Sequence, residues 1–462
     1  MKEKTRIEED ALGKVEVPRE AYWGASTQRA VQNFQISHQR MPVEFILSLA
    51  KVKRACLVVN SAAGDIAGEV SEAIMQAIDE ILRNGKHLDQ FPVDVYQTGS
   101  GTQTNMNLNE VLANRANEVL GHELGKKSPV HPNDHVNMGQ SSNDVIPTAM
   151  HLVVLETIRS ELVPTVDELI ETLDRKIDEF EGVVKVGRTH LQDAIPIPLS
   201  TEFKVYRRQI EASLVQIQRA ADELMEIPIG GTAVGTGLNT PDGFAEEVVK
   251  ELSKMTGLPL RSSPLKAESI ASHGKIVGLS SALRMLALAA LKMANDIRWM
   301  GTGPRAGLSE LKIPVNEPGS SIMPGKVNPT QAEALIQVCI RVLGNDATLA
   351  QAEAYGSVLD LNVTKPLMVV IILDSIHILA GGLRSFATNL LDDLEPNLEH
   401  IREQLDESLM IVTRLSPVVG YDKASEIAKR ALESGKTIRE TVEEMNLGIE
   451  GIDELLDPKK MV

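Results

Sequence analysis

Four polar stretches of this chain carry residue types that can hold a small anion and move a proton. "GSSIMPGKVNPTQAEA" (Gly319–Ala334) contains adjacent serines, Lys326, Asn328 and Glu333. Gly319 and Gly325 let such a loop move, and Pro324 and Pro329 limit how it moves, which is what a lid needs. Lys326 supplies a cation and Asn328 can donate to a carboxylate. "QTGSGTQTNMN" (Gln97–Asn107) offers the hydroxyls of Ser100, Thr102 and Thr104 around two glycines. An apolar pattern through Leu108, Val111, Leu112 and Val119 predicts a helix directly after it. A Ser/Thr/Gly loop opening a helix aims free N–H groups and the positive end of the dipole at an anion, although ordinary capping uses the same residues.

The third stretch, "HPNDHVNMGQSSNDVIPTA" (His131–Ala149), places Ser141, Ser142 and Asn143 before another predicted helix, with Pro147 in its first turns. His131 and His135 have i,i+4 spacing, but Pro132 and Asn133 predict a loop there and no third strong metal ligand lies nearby. The fourth, "GRTHLQDAIP" (Gly187–Pro196), sets Thr189 and His190 after a glycine and before a predicted helix broken by Pro196 and Pro198. A lone histidine is commonly structural; it becomes an acid–base group when a carboxylate tunes and orients it, because it titrates near 6.5. "GGTAVGTGLNT" (Gly230–Thr240) is not a dinucleotide loop, since Thr240 stands where the third glycine belongs and no strand precedes it.

These loops need a rigid body. The 462 residues are 43% apolar but only 3% aromatic, so the core is aliphatic and alanine-rich, which favours close-packed helices. After about Val145 the pattern lengthens, whereas the first 140 or so residues read as short helices between Gly/Pro-punctuated loops. Ile210, Leu214, Ile217, Ala221 and Leu224 form a coiled-coil-like seam. Residues 276–297 and 367–383 are apolar on nearly every face, which predicts burial on all sides, in one bundle or against helices of other subunits. The last 70 or so residues read as short amphipathic helices with a turn at Ser434–Gly435. The expected organisation is a mixed helical segment 1–138, a central helical bundle 139–392 and a small helical segment 393–462.

A net charge of −17 excludes nucleic acid and anionic membranes as favoured partners. Any anion site must therefore be built locally from Lys, Arg and backbone N–H groups. Cys56 and Cys339 are the only cysteines, which points to a reducing compartment. "MKEKTRIEED" has no apolar core of a leader, and the apolar run Leu367–Leu373, ended by Asp374, is too short to span a bilayer. The expectation is a soluble, cytoplasmic protein.

In all four loops the chain resembles the fumarase/aspartase superfamily, most closely the class II, iron-independent fumarases. "GSSIMPGKVNP", "QTGSGTQTNMN", "QSSND", "GRTHLQDA" and "GGTAVGTGLNT" are similar to the matching family segments in the same order. "VPREAYWGASTQRA" and "VGYDKASEIAKRA" extend the likeness to nearly the whole chain. The resemblance implies an all-α, three-domain fold and a homotetramer with a 20-helix core, each active site being assembled from three subunits. It implies reversible hydration of fumarate to (S)-malate in the tricarboxylic acid cycle, with a small dicarboxylate as substrate and no metal or organic cofactor.

Carried over by position, Ser320 would take the C3 proton of malate, and His190 paired with Glu333 would act through a water on the departing hydroxyl. Lys326 and Asn328 would hold a substrate carboxylate. Ser100, Thr102, Ser141, Ser142, Asn143, Thr189 and Ser321 would complete the cradle, and His131, Asn133 and Asp134 would form a second dicarboxylate site. His135, Met138–Gly139 and Ser128 depart from the family pattern around that second site, as does "PIPLSTEF" after His190. Aspartate ammonia-lyase and a non-catalytic structural homologue share the fold; "PGKVNPTQAEA" and "QSSND" favour fumarase over the first, and intact Ser320, His190, Lys326 and Glu333 over the second. A 30-residue helix is about 45 Å long, so helices of that length would part His190 from Ser320 along one chain. The two are expected to meet in one site from different chains.

Overall fold

The computed structural model describes residues 5–462; the first four residues of the N-terminal stretch read above lie outside the described residues. Among the described residues there are seventeen α-helices, and the strands form only two-stranded sheets. This is the expected all-α architecture. The chain divides into two units. One contains residues up to Leu162, Gln216–Arg284 and Val342–His377; the other contains Val163–Val215, Met285–Arg341 and Ile378–Val462. Helices Leu199–Glu223, Gly274–Met300, Thr330–Gly356 and Lys365–Phe386 contribute residues to both.

In the first unit, helix Val43–Ala63 is central. Phe45, Leu49, Val52 and Cys56 are spaced 4, 3 and 4, so they form one stripe, and all are fully buried. The helix packs against Gly68–Asn84, Ser142–Thr157 and Phe244–Thr256. The N-terminal helices are longer than the sequence led us to expect: Val43–Ala63 has 21 residues, Gly68–Asn84 has 17 and Thr102–Val119 has 18. The apolar pattern of the last is obscured because it buries polar residues with partners. Asn107 donates to Gln90 O, Asn114 to Tyr22 O and Asn117 to Val130 O. Its Glu110 accepts the amides of Gly24, Ser26 and Thr27, satisfying the N-terminus of helix Ala25–Asn33.

In the second unit, helix Val163–Glu179 buries Val166, Leu169, Leu173 and Ile177. Strands Val184–Thr189 and Gln192–Pro198 form an antiparallel hairpin. Val186 of that hairpin packs on Ile401 and Leu405 of helix Leu398–Glu407. The C-terminal helices, Tyr421–Ser434 and Ile438–Glu444 among them, enclose their own aliphatic cluster around Leu415, Ile427 and Ile438, and Gly435 ends the first of them as the sequence turn indicated.

One expectation about the apolar helices changes, that of a run too short to span a bilayer. The seam residues Ile210 to Leu224 are buried as read, but helix Gly274–Met300 is not covered on all sides within one chain: Met285 is 49% and Leu288 41% exposed. The 367–383 stretch belongs to a continuous helical run, Lys365–Leu391. That run and Gly274–Met300, 27 residues each, are long and apolar enough to cross a membrane by length and composition. Asp374 interrupts the apolar run in sequence but not the helix. Its carboxylate and the Ser375 hydroxyl accept from Asn345 at 2.8 and 2.9 Å, so these polar groups are satisfied inside the protein, and most of the apolar window is buried.

The same helix carries His377, whose ring bridges Glu44 and Glu161 at 2.9 Å on either side. The Glu44 hydrogen bond, with Glu161 adding to it, raises its pKa to about 9 against the burial that opposes this. The sign follows: a histidine whose folded pKa is raised adds stability in full below its unfolded value near 6.5, and that stability is lost as pH rises through the folded value. The stability difference between wild type and His377→Gln, measured by urea unfolding, should be greatest below about pH 6.5 and shrink as pH approaches 9. A difference that stays constant across this range would show that the bridge does not depend on the imidazolium charge.

Candidate active site

In the first unit, the Gln97–Asn107 loop and the "QSSND" segment meet. Ser100 Oγ lies 2.7 Å from Thr102 Oγ1, which lies 2.9 Å from Ser142 Oγ. Thr102 and Ser142 are the first residues of helices Thr102–Val119 and Ser142–Thr157. Two helix N-termini thus come together with a continuous chain of hydroxyls across them. Hydroxyls and two positive dipole ends favour a carboxylate there. Gly99 lets this loop approach the chain ahead of helix Lys365–Phe386: a Cβ would sit 1.4 Å from Val363 O, and Lys365 N donates to Gly99 O.

Ser141 and Asp144 form a capping box at the start of Ser142–Thr157. Asp144 is fully buried and accepts the amides of Ser141, Gly230 and Thr232 at 2.9–3.0 Å, while Asn143 donates to Ala233 O. The glycine-rich Gly230–Thr240 segment therefore braces this helix start. Burial pushes the Asp144 carboxyl up to about 6. Buried Lys53 donates to Asn137 and Gln140 in the loop just before, and burial brings its ammonium down to about 7. Neither residue was singled out from the sequence. A lysine inside the apolar stripe pattern of a long helix gives no signal except its isolation.

Asn133 and Asp134 lie on one π-helical turn, Pro132–Val136, capped by His131, whose Nδ1 accepts the amides of Asn133 and Asp134 at 3.2 Å. His135 Nδ1 is occupied by the His131 amide at 2.9 Å. Among the described residues no three His, Cys, Asp or Glu side chains cluster as a metal site would require.

In the second unit, Thr189 and His190 do not precede a broken helix. They sit at the tip of the hairpin, where Thr189 pairs with Gln192 and His190–Leu191 form the two-residue turn, both with φ of 58°. Positive φ at both positions is the geometry whose twist matches paired strands. Pro196 and Pro198 belong to the second strand, and helix Leu199–Glu223 starts immediately after it. Prolines read as helix breakers are strand residues in a two-stranded sheet, which has only edge strands. His190 and Thr189 are exposed.

Gly319–Pro329 is a loop without regular structure. Gly319 N donates to Lys326 O at 3.1 Å, and Asn328 Nδ2 to Gly319 O at 2.5 Å, so the loop is closed at its base. At its start Ser320 Oγ accepts the amides of Ile322 and Met323 at 3.2 and 3.0 Å. Ser321 and Lys326 are exposed, and Ile322 is 83% exposed. Glu333 lies in the first turn of helix Thr330–Gly356, also exposed. Among the described residues no hydrogen bond joins His190 to Glu333 within one chain. The candidate residues fall into two sets: Ser100, Thr102, Ser141, Ser142 and Asn143 in the first unit, and Thr189, His190, Ser320, Ser321, Lys326, Asn328 and Glu333 in the second.

Residues 13–344 match the family described as lyase, and residues 411–462 match fumarase C C-terminus. The chain is similar to the class II fumarate hydratase of Thermosynechococcus vestitus, with 49% identity over 441 residues, covering 96% of this chain and 94% of that one. It is equally similar to that of Ralstonia nicotianae, 49% identical over 461 residues and 99% of both. Its structure is similar to the recombinant class II fumarase of Schistosoma mansoni, with a TM-score of 0.95 and 40% identity over 99% of both chains. Likeness of this extent, in sequence and in fold and across both family segments, makes the chain a member of the class II fumarate hydratase family of lyases.

Proposed function

We propose that this protein is a hydro-lyase that hydrates fumarate reversibly to (S)-malate, in the tricarboxylic acid cycle. The observation that carries this reading is the Ser320 hydroxyl, which accepts two backbone amides on a loop that also bears Lys326 and Asn328. A serine is a poor base because its alkoxide is costly; two N–H donors aimed at the oxygen lower that cost.

In the malate-to-fumarate direction the Ser320 alkoxide takes the C3 proton. The electron pair left behind spreads onto the adjacent carboxylate, which Lys326 and Asn328 hold. Donors already in place stabilise this charge more in the transition state than in the substrate. The C2–O bond then breaks and its electron pair leaves with the hydroxyl, which departs as water with a proton supplied through a water by His190, oriented by Glu333. Such acid–base assistance is worth about 10²–10⁴-fold. Ser100, Thr102, Ser141, Ser142, Asn143, Thr189 and Ser321 complete the cradle, and His131, Asn133 and Asp134 hold a second dicarboxylate. The scheme uses no metal and no organic cofactor, since hydroxyls, amides and an ammonium supply the stabilisation.

We place the enzyme in the cytoplasm as a homotetramer whose pooled long helices cover Met285, Leu288 and Ile340, which are 41–58% exposed in one chain. The two cysteines, free and buried, suit a reducing compartment.

Three outcomes are expected. Purified protein should consume fumarate, read as loss of its absorbance, in amine-free buffer with a chelator present, and added ammonium should yield no aspartate. Activity abolished by chelation and restored by a divalent metal would sink the metal-free scheme, and aspartate formation would favour the ammonia-lyase. Ser320→Ala should leave assembly intact and retain less than about a tenth of turnover, the least a general base supplies being more than that; higher retention removes Ser320 as the base. Finally, His190→Asn and Ser320→Ala, each inactive alone, should recover a fraction of wild-type activity when co-expressed, if one site draws these residues from different chains. No recovery in mixed tetramers confirmed by mass spectrometry would place both in the same chain.

A further inference from the structure

The hairpin that carries Thr189 and His190 is gripped from behind. Side chains of a regular strand alternate, so Lys185 and Arg188, three residues apart, should point to opposite faces. Both nevertheless reach the same carboxylate, beside a bulge where the register shifts between Val186 and Arg188. Val186 pairs with Pro196 and Arg188 with Asp193, so the extra residue lies on the second strand, opposite Gly187, where a Cβ would lie 2.4 Å from Ile195 O. A bulge re-aims the residues beyond it. Here Lys185 Nζ is 3.2 Å from Glu310 Oε2 and Arg188 Nη1 is 2.5 Å from Glu310 Oε1.

Glu310 is completely buried, and the Lys185 and Arg188 side chains are 2% and 14% exposed. Glu202, 3.1 Å from Lys185, makes a second carboxylate, so two cations face two anions. The Glu310 main chain is fixed on both sides: its amide donates to Met300 O, at the end of helix Gly274–Met300, and its carbonyl accepts from Asn397 N, both at 2.8 Å. Arg188 Nη2 reaches Gln404 Oε1 at 3.3 Å, and Gln404 donates in turn to Leu308 O. A buried charge cluster is no more stabilising than apolar residues of the same volume, yet its directional contacts tie a strand to one register. Among the described residues nothing comparable holds the exposed turn itself, and Arg188 is the last residue before it whose side chain is held in this way.

We infer that Glu310 is a positioning residue, fixing the Thr189–His190 turn through Lys185 and Arg188; this rests on His190 being the proton-transfer group proposed above. Glu310 also stands nine residues ahead of Gly319 in the chain, so one carboxylate restrains the hairpin and the segment leading into the Ser320 loop.

The test uses the full-length enzyme with Glu310→Gln, Arg188→Lys, Arg188→Met and His190→Asn. Glu310→Gln should lower kcat per folded enzyme by about 10–100-fold, the usual loss when a group orienting an active residue is removed. KM for fumarate should change little, and hydrogen exchange of the 184–198 hairpin should quicken. Arg188→Met should do the same, and Arg188→Lys, which keeps the cation, should recover part of the loss. Wild-type kcat in Glu310→Gln, or a kcat loss with unchanged hairpin exchange, would overturn the inference. If Glu310→Gln does not fold, the two Arg188 variants decide it by the same readings. Full activity in His190→Asn would instead remove the role of His190, an outcome that the hairpin exchange of the other variants does not affect.

Discussion

The contact between Thr102 and Ser142, 2.9 Å from one hydroxyl to the other, is where two helices present their N-termini to the same place. An acidic chain that must hold a dianion has few ways to do so. A cluster of lysines and arginines would be costly to bury, whereas amide groups at helix starts carry partial positive charge without a counter-ion. The rest of the first unit can be understood as support for that arrangement. Asp144 accepts the amides of Gly230 and Thr232 with its carboxylate. Asn107, Asn114 and Asn117 pin the length of helix Thr102–Val119 to neighbouring carbonyls. Buried amide side chains of this kind specify position more than they add stability, since a single one left without its partner is heavily penalised.

The second unit meets a different demand. The proposed proton-transfer groups have to be exposed to substrate yet held in place. The hairpin does this with a two-residue turn whose backbone is restricted to positive φ at both positions. The Ser320 loop does it with a closed base and two amides directed at one oxygen. In both, the side chain in question lies within two residues of a backbone constraint, which limits how far it can wander while its surroundings stay open.

What could be read from the sequence follows from these physics. The loops proposed to hold the substrate were legible because they concentrate glycine, serine, threonine and asparagine against an aliphatic background, and the long helices because Ile210 to Leu224 keep a regular seam. The hairpin was not legible. The extra residue opposite Gly187 breaks the two-residue alternation of the second strand, and Pro196 and Pro198 look like helix breakers when no strand is suspected. Nor was the length of Thr102–Val119, since its buried asparagines read as surface. Lys53, Asp144 and Glu310 escaped notice for a related reason: a buried charged residue is recognised by the partners that fold around it, and those lie 84 or more residues away for Lys53 and 86 or more for the Asp144 contacts to Gly230 and Thr232.

The lysines of the two units show why a substrate cation belongs on a loop. Lys53 and Lys365 are buried, and burial brings both ammonium groups down to about 7, where much of the charge is lost at neutral pH. A lysine built permanently into a dry site without a carboxylate partner would share that fate before any substrate came. Lys326 is exposed on the Gly319–Pro329 loop, where water solvates it. If that loop closes only with a dicarboxylate beneath it, the ammonium exchanges water for a counter-ion in the same step, and is never left buried and unpaired. Closure would then be favourable with a dianion present and unfavourable without one, so the cost of desolvating a lysine becomes a means of recognising the substrate.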